Sequence, residues 1–214
     1  MTPLRKFSGY GAASRKLVVI GLVLMALQQL TGAGYIALKA QLAQLLIAQS
    51  WDKTRLAKGH PAKPWPWADT WPVARLKVPR HNIDLYVLWG ATGNALAFGP
   101  GYEVASARPG EDGVTLIGGH RDTHFEFLQY LQLNTLLSMQ LPSGEEETYQ
   151  VNEIRVVNVK KNPDPLLGVQ GNTLLLVTCY PFSTLQAGGP LRYVVSARQI
   201  VNSVGLKQAQ PQSL

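Results

Sequence analysis

The chain has 214 residues, 46% of them hydrophobic and 15% charged, with a formal net charge of +7. That length suits one globular domain with an appendage. The whole positive excess lies before residue 71, where nine Lys/Arg stand against Asp52 and Asp69, while residues 71–214 balance to zero. A neutral main domain has no electrostatic footprint for a phosphate backbone, which excludes nucleic acid as the expected partner.

Arg5, Lys6, Arg15 and Lys16 precede an uncharged apolar stretch, "LVVIGLVLMALQQLTGAGYIAL", at residues 17–38. About 20 apolar residues cross a bilayer as a helix, whereas the apolar core of a cleaved signal peptide has only about 7–15. The stretch is therefore expected to be an uncleaved signal anchor, preceded by a cytoplasmic basic segment at residues 1–16. Lys39, Lys53 and Arg55 follow the span, but the denser cluster precedes it without any acid. The N-terminus is thus expected inside, and the main domain beyond the inner membrane.

Residues 39–72 are expected to be a linker in two parts. A helix with Leu42, Leu45, Leu46 and Trp51 on a partial apolar face runs on to Gly59. The segment "HPAKPWPWADTWP" follows, in which Pro61, Pro64, Pro66 and Pro72 forbid regular helix and leave a stiff extended chain. Trp65, Trp67 and Trp71 are expected to pack onto the domain.

From Val73 the pattern changes to short β-like runs separated by turn signals. "VARLKVP" alternates, with Ala74, Leu76 and Val78 on one parity, and "IDLYVLWG" follows it. "ALAFGPG" reads as a short helical turn and "GVTLIGGHR" as a buried strand. "HFEFLQYL" reads as one or two helical turns with Asp122 or Thr123 as N-cap. "LLSMQLPSGEEETYQVNEIRVVNV" reads as a hairpin whose parity changes between Val151 and Ile154, which predicts a bulge. "NTLLLVTC" and "LRYVVSARQIV" complete a domain over residues 73–204, and residues 205–214 form a tail. Many short strands with brief helices predict an all-β fold, a closed barrel or a sandwich.

Three chemically able side chains fall at strand ends: His120 after "TLIGG", Cys179 after "LLLVT", and Arg192 at the start of "LRYVV". Cys179 is the chain's only cysteine, so in an exported domain it is either a buried small hydrophobe or a thiol kept free for chemistry. A thiolate is a nucleophile, and an adjacent imidazole can pass protons to a leaving amine. An ordinary thiol is only about 3% ionised at pH 7, so a fixed cation such as Arg192 would raise the thiolate fraction and could also hold an oxyanion. His124 is the rival imidazole. Two glycines before His120 permit close backbone approach, and Asp122 is placed to orient a ring nearby, which favours His120.

In that order, "TLIGGHRDTHFEFL", "LLLVTCYPF" and "GGPLRYVVSA" resemble the sortases, cysteine transpeptidases of the bacterial cell surface. The resemblance covers residues 71–201 and is closest to the class of Gram-negative proteobacteria. It implies an eight-stranded sortase-type β-barrel behind an N-terminal transmembrane helix, with Cys179 as nucleophile, His120 as acid/base and Arg192 as stabiliser. It further implies a supporting role for Thr178 and a substrate-recognising loop at "KKNPDPLLGVQGN", with Pro163, Asp164, Pro165 and Leu166 at its centre. The expected substrate is an exported protein with a C-terminal LPXTG-type sorting signal, cleaved through a thioester that an amine resolves. No cofactor is implied, and no calcium site is assigned: "GEEE" at residues 144–147 reads as a solvated turn. Two other readings fit the residues: a thiol hydrolase using water, or a membrane-tethered interaction module with a structural, buried Cys179.

Overall fold

The structure is a computed structural model that describes residues 11–57, 59–161, 168–184 and 188–200. Its contacts divide the chain into two units, Met1–Ala43 and Gln44–Leu214. Helix α1 spans Ala12–Leu56, and residues from Ser14 onward are long and apolar enough to cross a membrane, with a mean hydropathy of 1.8 over the best window. It is a candidate membrane anchor. In its first unit, side chains such as Leu17, Leu22 and Ile36 lie on the surface.

The second unit is an eight-stranded closed barrel. The strands are β1 (Pro72–Val78), β2 (Ile83–Trp89), β3 (Gly101–Tyr102), β4 (Val114–Gly118), β5 (Leu136–Gln140), β6 (Glu146–Asn158), β7 (Thr173–Cys179) and β8 (Leu191–Gln199). Around the barrel they follow the order β1-β2-β3-β4-β7-β8-β6-β5. Alternation sets the inside: Ala74, Leu76 and Val78 of β1 are fully buried, while Val73, Arg75 and Lys77 are not. Leu174, Leu176, Ile117 and Val195 join them in one core. The expected bulge is present, as a register shift between Val151 and Glu153 against β8.

Residues 44–56 of α1 pack on this barrel. Ile47 lies with Leu88 and Ala95, the last of these in the short helix α2 (Gly93–Leu96). Trp51 is fully buried with its ring 6.1 Å from that of Tyr86. The helix ends at Leu56, and Gly59 closes it in a left-handed conformation (φ +91°), its N–H donating to Thr54 O at 2.9 Å. The proline-rich stretch then lies back along the helix, where Thr54 Oγ1 accepts from Ala62 N at 3.1 Å. Trp65 packs edge-on against Phe98 and Trp71 stacks on Trp89. Trp67, expected to pack as well, is 83% exposed.

Two local expectations are corrected. The segment after His120 forms a 3-10 turn, Glu126–Tyr130, with Phe125 rather than Asp122 or Thr123 at its N-cap and no side-chain cap. Burial decides this: Phe125 is fully buried and its N–H donates to His120 O at 2.9 Å, so the apolar ring, not a capping oxygen, fixes where the turn begins. Strand β3 was not expected either, because two residues carry no periodicity.

Candidate active site

Strands β4 and β7 run parallel, with Gly118 level with Val177 at their C-terminal ends. The pairing continues past both strands. Gly119 N donates to Val177 O at 3.1 Å, and Thr178 Oγ1 donates to Gly119 O at 2.7 Å. His120 and Cys179 are the next residues on the two chains. On the other side of β7, Cys179 is the cross-strand partner of Arg192 in β8. The three residues singled out at strand ends therefore stand at one end of three adjacent strands.

Alternation also decides which way they face. Leu174, Leu176 and the buried Thr178 belong to the barrel interior, so Cys179 shares the outer face with Leu175 and Val177. Arg192 shares that face with Val194. Leu116, Leu175 and Val194 form a small buried cluster there, with Val157, Val169 and Val177 packed beside it. Cys179 is free and half-buried at the end of this apolar floor. His120 is exposed.

Arg192 has a divided role in the geometry. Its Nη1 donates to Gly189 O at 2.6 Å and to Leu191 O at 3.0 Å. Among the described residues its Nε and Nη2 make no hydrogen bond, which leaves donors for a bound carbonyl or oxyanion. Tyr180, Phe182 and Tyr193 form an aromatic group alongside, with Tyr180 stacked on Tyr193 at 6.0 Å.

The two glycines before His120 differ. A Cβ on Gly119 would stand 2.7 Å from the Phe125 ring, whereas one on Gly118 would meet only Ala91 at 3.9 Å. Close approach is thus a requirement at Gly119 alone. His124 is half-buried, and burial pushes its imidazole below the ordinary histidine range, with nearby His120 acting in the same direction. Thr123 Oγ1 lies 3.4 Å from His124 Nδ1. Asp122 is exposed and, among the described residues, makes no side-chain hydrogen bond. Pro163, Asp164, Pro165 and Leu166 lie outside the described residues. Of the turn carboxylates, Glu146 accepts from Ser138 Oγ at 2.6 Å and Glu147 from Tyr149 Oη at 2.6 Å; both are engaged within the hairpin.

Arg121 carried no signal of its own in the sequence. It is 8% exposed, and it reaches from the residue after His120 to backbone carbonyls of the loop that follows Cys179. A cavity of about 330 Å³, lined by Trp71, Trp89, Tyr102 and Arg108, lies elsewhere. Strand β1 runs in the same direction as β4 and β7, so Pro72, which also lines it, marks the end of the barrel away from Cys179.

The family model for the sortase domain matches residues 76–200, more than half of the chain and nearly the whole barrel. The chain belongs to the sortase family. Among its relatives, sortase D of Bacillus subtilis is 30% identical over 125 residues, 58% of this chain and 62% of that protein. The chain thus aligns with less than two thirds of that relative's length. Sortase C-1 from Actinomyces oris is similar in structure, with a TM-score of 0.53 and 25% identity over 61% of this chain and 73% of that one. A sortase D5 transpeptidase from Clostridium perfringens, at 19% identity, shares the fold, with a TM-score of 0.57 over 75% of this chain and 99% of that one. The eight-stranded barrel is the sortase fold.

Proposed function

We propose that this sortase is a membrane-anchored cysteine transpeptidase in which Cys179, His120 and Arg192 perform the chemistry. The observation that carries the reading is the pairing of Cys179 with Arg192 on the outer face of the barrel, at the end of an apolar floor, with His120 on the adjoining strand end. The Cys179 thiolate attacks the carbonyl carbon of the scissile amide. The resulting oxyanion accepts hydrogen bonds from Arg192. As the C–N bond breaks, His120 donates a proton to the leaving amine, and a thioester remains. An incoming amine then attacks the thioester as it loses a proton to His120, and the Cys179 thiolate leaves beside the reprotonated imidazole.

The substrate class is an exported protein with a C-terminal LPXTG-like signal. Val157, Val169 and Val177, partly buried beside the Leu116–Leu175–Val194 cluster, offer an apolar surface for an aliphatic side chain upstream of the cut bond, and Pro163, Asp164, Pro165 and Leu166 are assigned to substrate recognition. Thr178 supports the site by its bond to Gly119. Anchoring in the inner membrane with the N-terminus inside places the catalytic domain in the periplasm, and this rests on the basic cluster before the span. Membership of the class of Gram-negative proteobacteria is part of this proposal and rests on the resemblance of the three motifs alone. The interaction-module alternative requires a buried Cys179, whereas the thiol is half-buried on the outer face.

The test is intact mass of the detergent-solubilised full chain mixed with LPXTG-like peptides, with and without triglycine, beside Cys179→Ala. An acyl adduct on the wild type alone, released as a peptide–triglycine product, supports transpeptidation. Release to water alone, with triglycine present, makes the protein a hydrolase. A folded chain that forms no adduct and whose thiol resists alkylation overturns the catalytic reading.

A further inference from the structure

Among the described residues, two side-chain bridges flank Cys179 and His120 and join the segments that carry them. The first lies just before both residues, from Thr178 Oγ1 to Gly119 O at 2.7 Å. The second lies just after them. Arg121 Nη1 donates to Pro181 O at 3.0 Å, and Nη2 donates to Thr184 O at 2.7 Å. These acceptors are 60 and 63 residues from Arg121 in sequence. The backbone at Cys179 and at His120 is thus held between an upstream and a downstream pin.

Arg121 as a whole is 8% exposed. Burying a cation is costly unless its donors are met, and here they meet backbone carbonyls, which point substitution cannot remove. A planar fork reaches two carbonyls at once, which an ammonium on a single stem cannot do in the same geometry. Because Arg121 is covalently next to His120, any slack in its side-chain contacts separates the imidazole from the loop leaving Cys179.

We propose that Arg121 is a positioning residue that clamps the β7–β8 loop against the His120 loop and so fixes the working separation of Cys179 and His120. This rests on the transpeptidase reading for its consequence, although the clamp itself can be tested without substrate.

The test compares wild type, Arg121→Lys and Arg121→Met as detergent-solubilised full chains. Hydrogen exchange should speed up in residues 180–184 (the amides of 180 and 182–184) by about 10-fold or more in both variants, while β4 and β7 keep their protection. With LPXTG-like peptide, the acylation kcat should fall about 10- to 100-fold with KM changed less than about 3-fold, Lys falling less than Met. Unchanged loop exchange, exchange raised uniformly over the barrel, or a kcat within about 2-fold of wild type in a folded variant would overturn the proposal. If Arg121→Met does not fold, Arg121→Lys, which keeps the charge, decides by the same criteria. If no peptide acylates even the wild type, that result counts against the transpeptidase reading and not against the clamp. The clamp is then judged by loop exchange and by the pH profile of Cys179 alkylation with iodoacetamide. Altered loop exchange with an altered profile upholds it, and an unaltered profile sinks it.

Discussion

Thr178 Oγ1 donates a hydrogen bond to the carbonyl of Gly119 at 2.7 Å, across the parallel seam between β7 and β4 and one residue before Cys179 and His120 respectively. Thr178 is 2% exposed and its partner Gly119 is half-buried. Thr178→Val keeps the shape and removes the donor. Leaving the half-buried Gly119 carbonyl without this donor should cost about 1 kcal/mol in a denaturant titration. Acylation should slow as well, and a variant as stable and as fast as wild type would show that the seam is held by packing alone.

Arg192 faces Cys179 across the β7–β8 pair, and its Nη1 is already committed to Gly189 O at 2.6 Å. The remaining nitrogens are the ones assigned to the oxyanion. Arg192→Ala should reduce the acylation rate by about 10²–10³. Arg192→Lys should recover little of that, because a single ammonium cannot meet Gly189 and the oxyanion together. Pre-steady-state acylation rates decide the matter, and full recovery by Lys would reduce the role of Arg192 to charge.

Gly119→Ala puts a methyl 2.7 Å from the ring of Phe125, which is fully buried. Overpacking of that kind costs about 1–3 kcal/mol. The strain falls on the two residues flanking His120's approach, so activity should drop further than stability does. Thermal unfolding and acylation measured on the same sample separate the two, while Gly118→Ala, with space to 3.9 Å, should be mild in both.

Trp51 sits at no exposure between the end of α1 and Tyr86. Trp51→Ala should destabilise the barrel unit by about 3–5 kcal/mol. Below its lowered melting temperature the variant should acylate at the wild-type rate. A negligible stability loss would mean that residues 44–56 are only a tether.

His124 gives the fold a pH response. Its imidazole is held below the ordinary value first by burial and then by His120, so the folded state favours the neutral ring. That stabilisation is complete above the unfolded value of about 6.5 and is lost as pH falls through the lower folded value. The melting temperature of wild type should therefore decline below about pH 6.5 more steeply than that of His124→Gln. Parallel declines would remove His124 from the acid response.

Local sequence was sufficient wherever a pattern of period two meets one buried face. Ala74, Leu76 and Val78 had to share one face, the parity break after Val151 had to be a bulge, and the apolar run before Cys179 had to be a strand. It also put His120, Cys179 and Arg192 at strand ends. It could not say that β4 and β7 lie side by side and parallel, because pairing between segments some 60 residues apart is set by which edges remain free once the rest of the barrel closes. That choice brings the strand end before His120 alongside the end of β7 that carries Cys179. It also gives Arg121, an ordinary surface residue by composition, a buried seat on carbonyls 60 and 63 residues away. Periodicity records which face of each strand avoids water; only closure of the barrel decides which strand ends become neighbours.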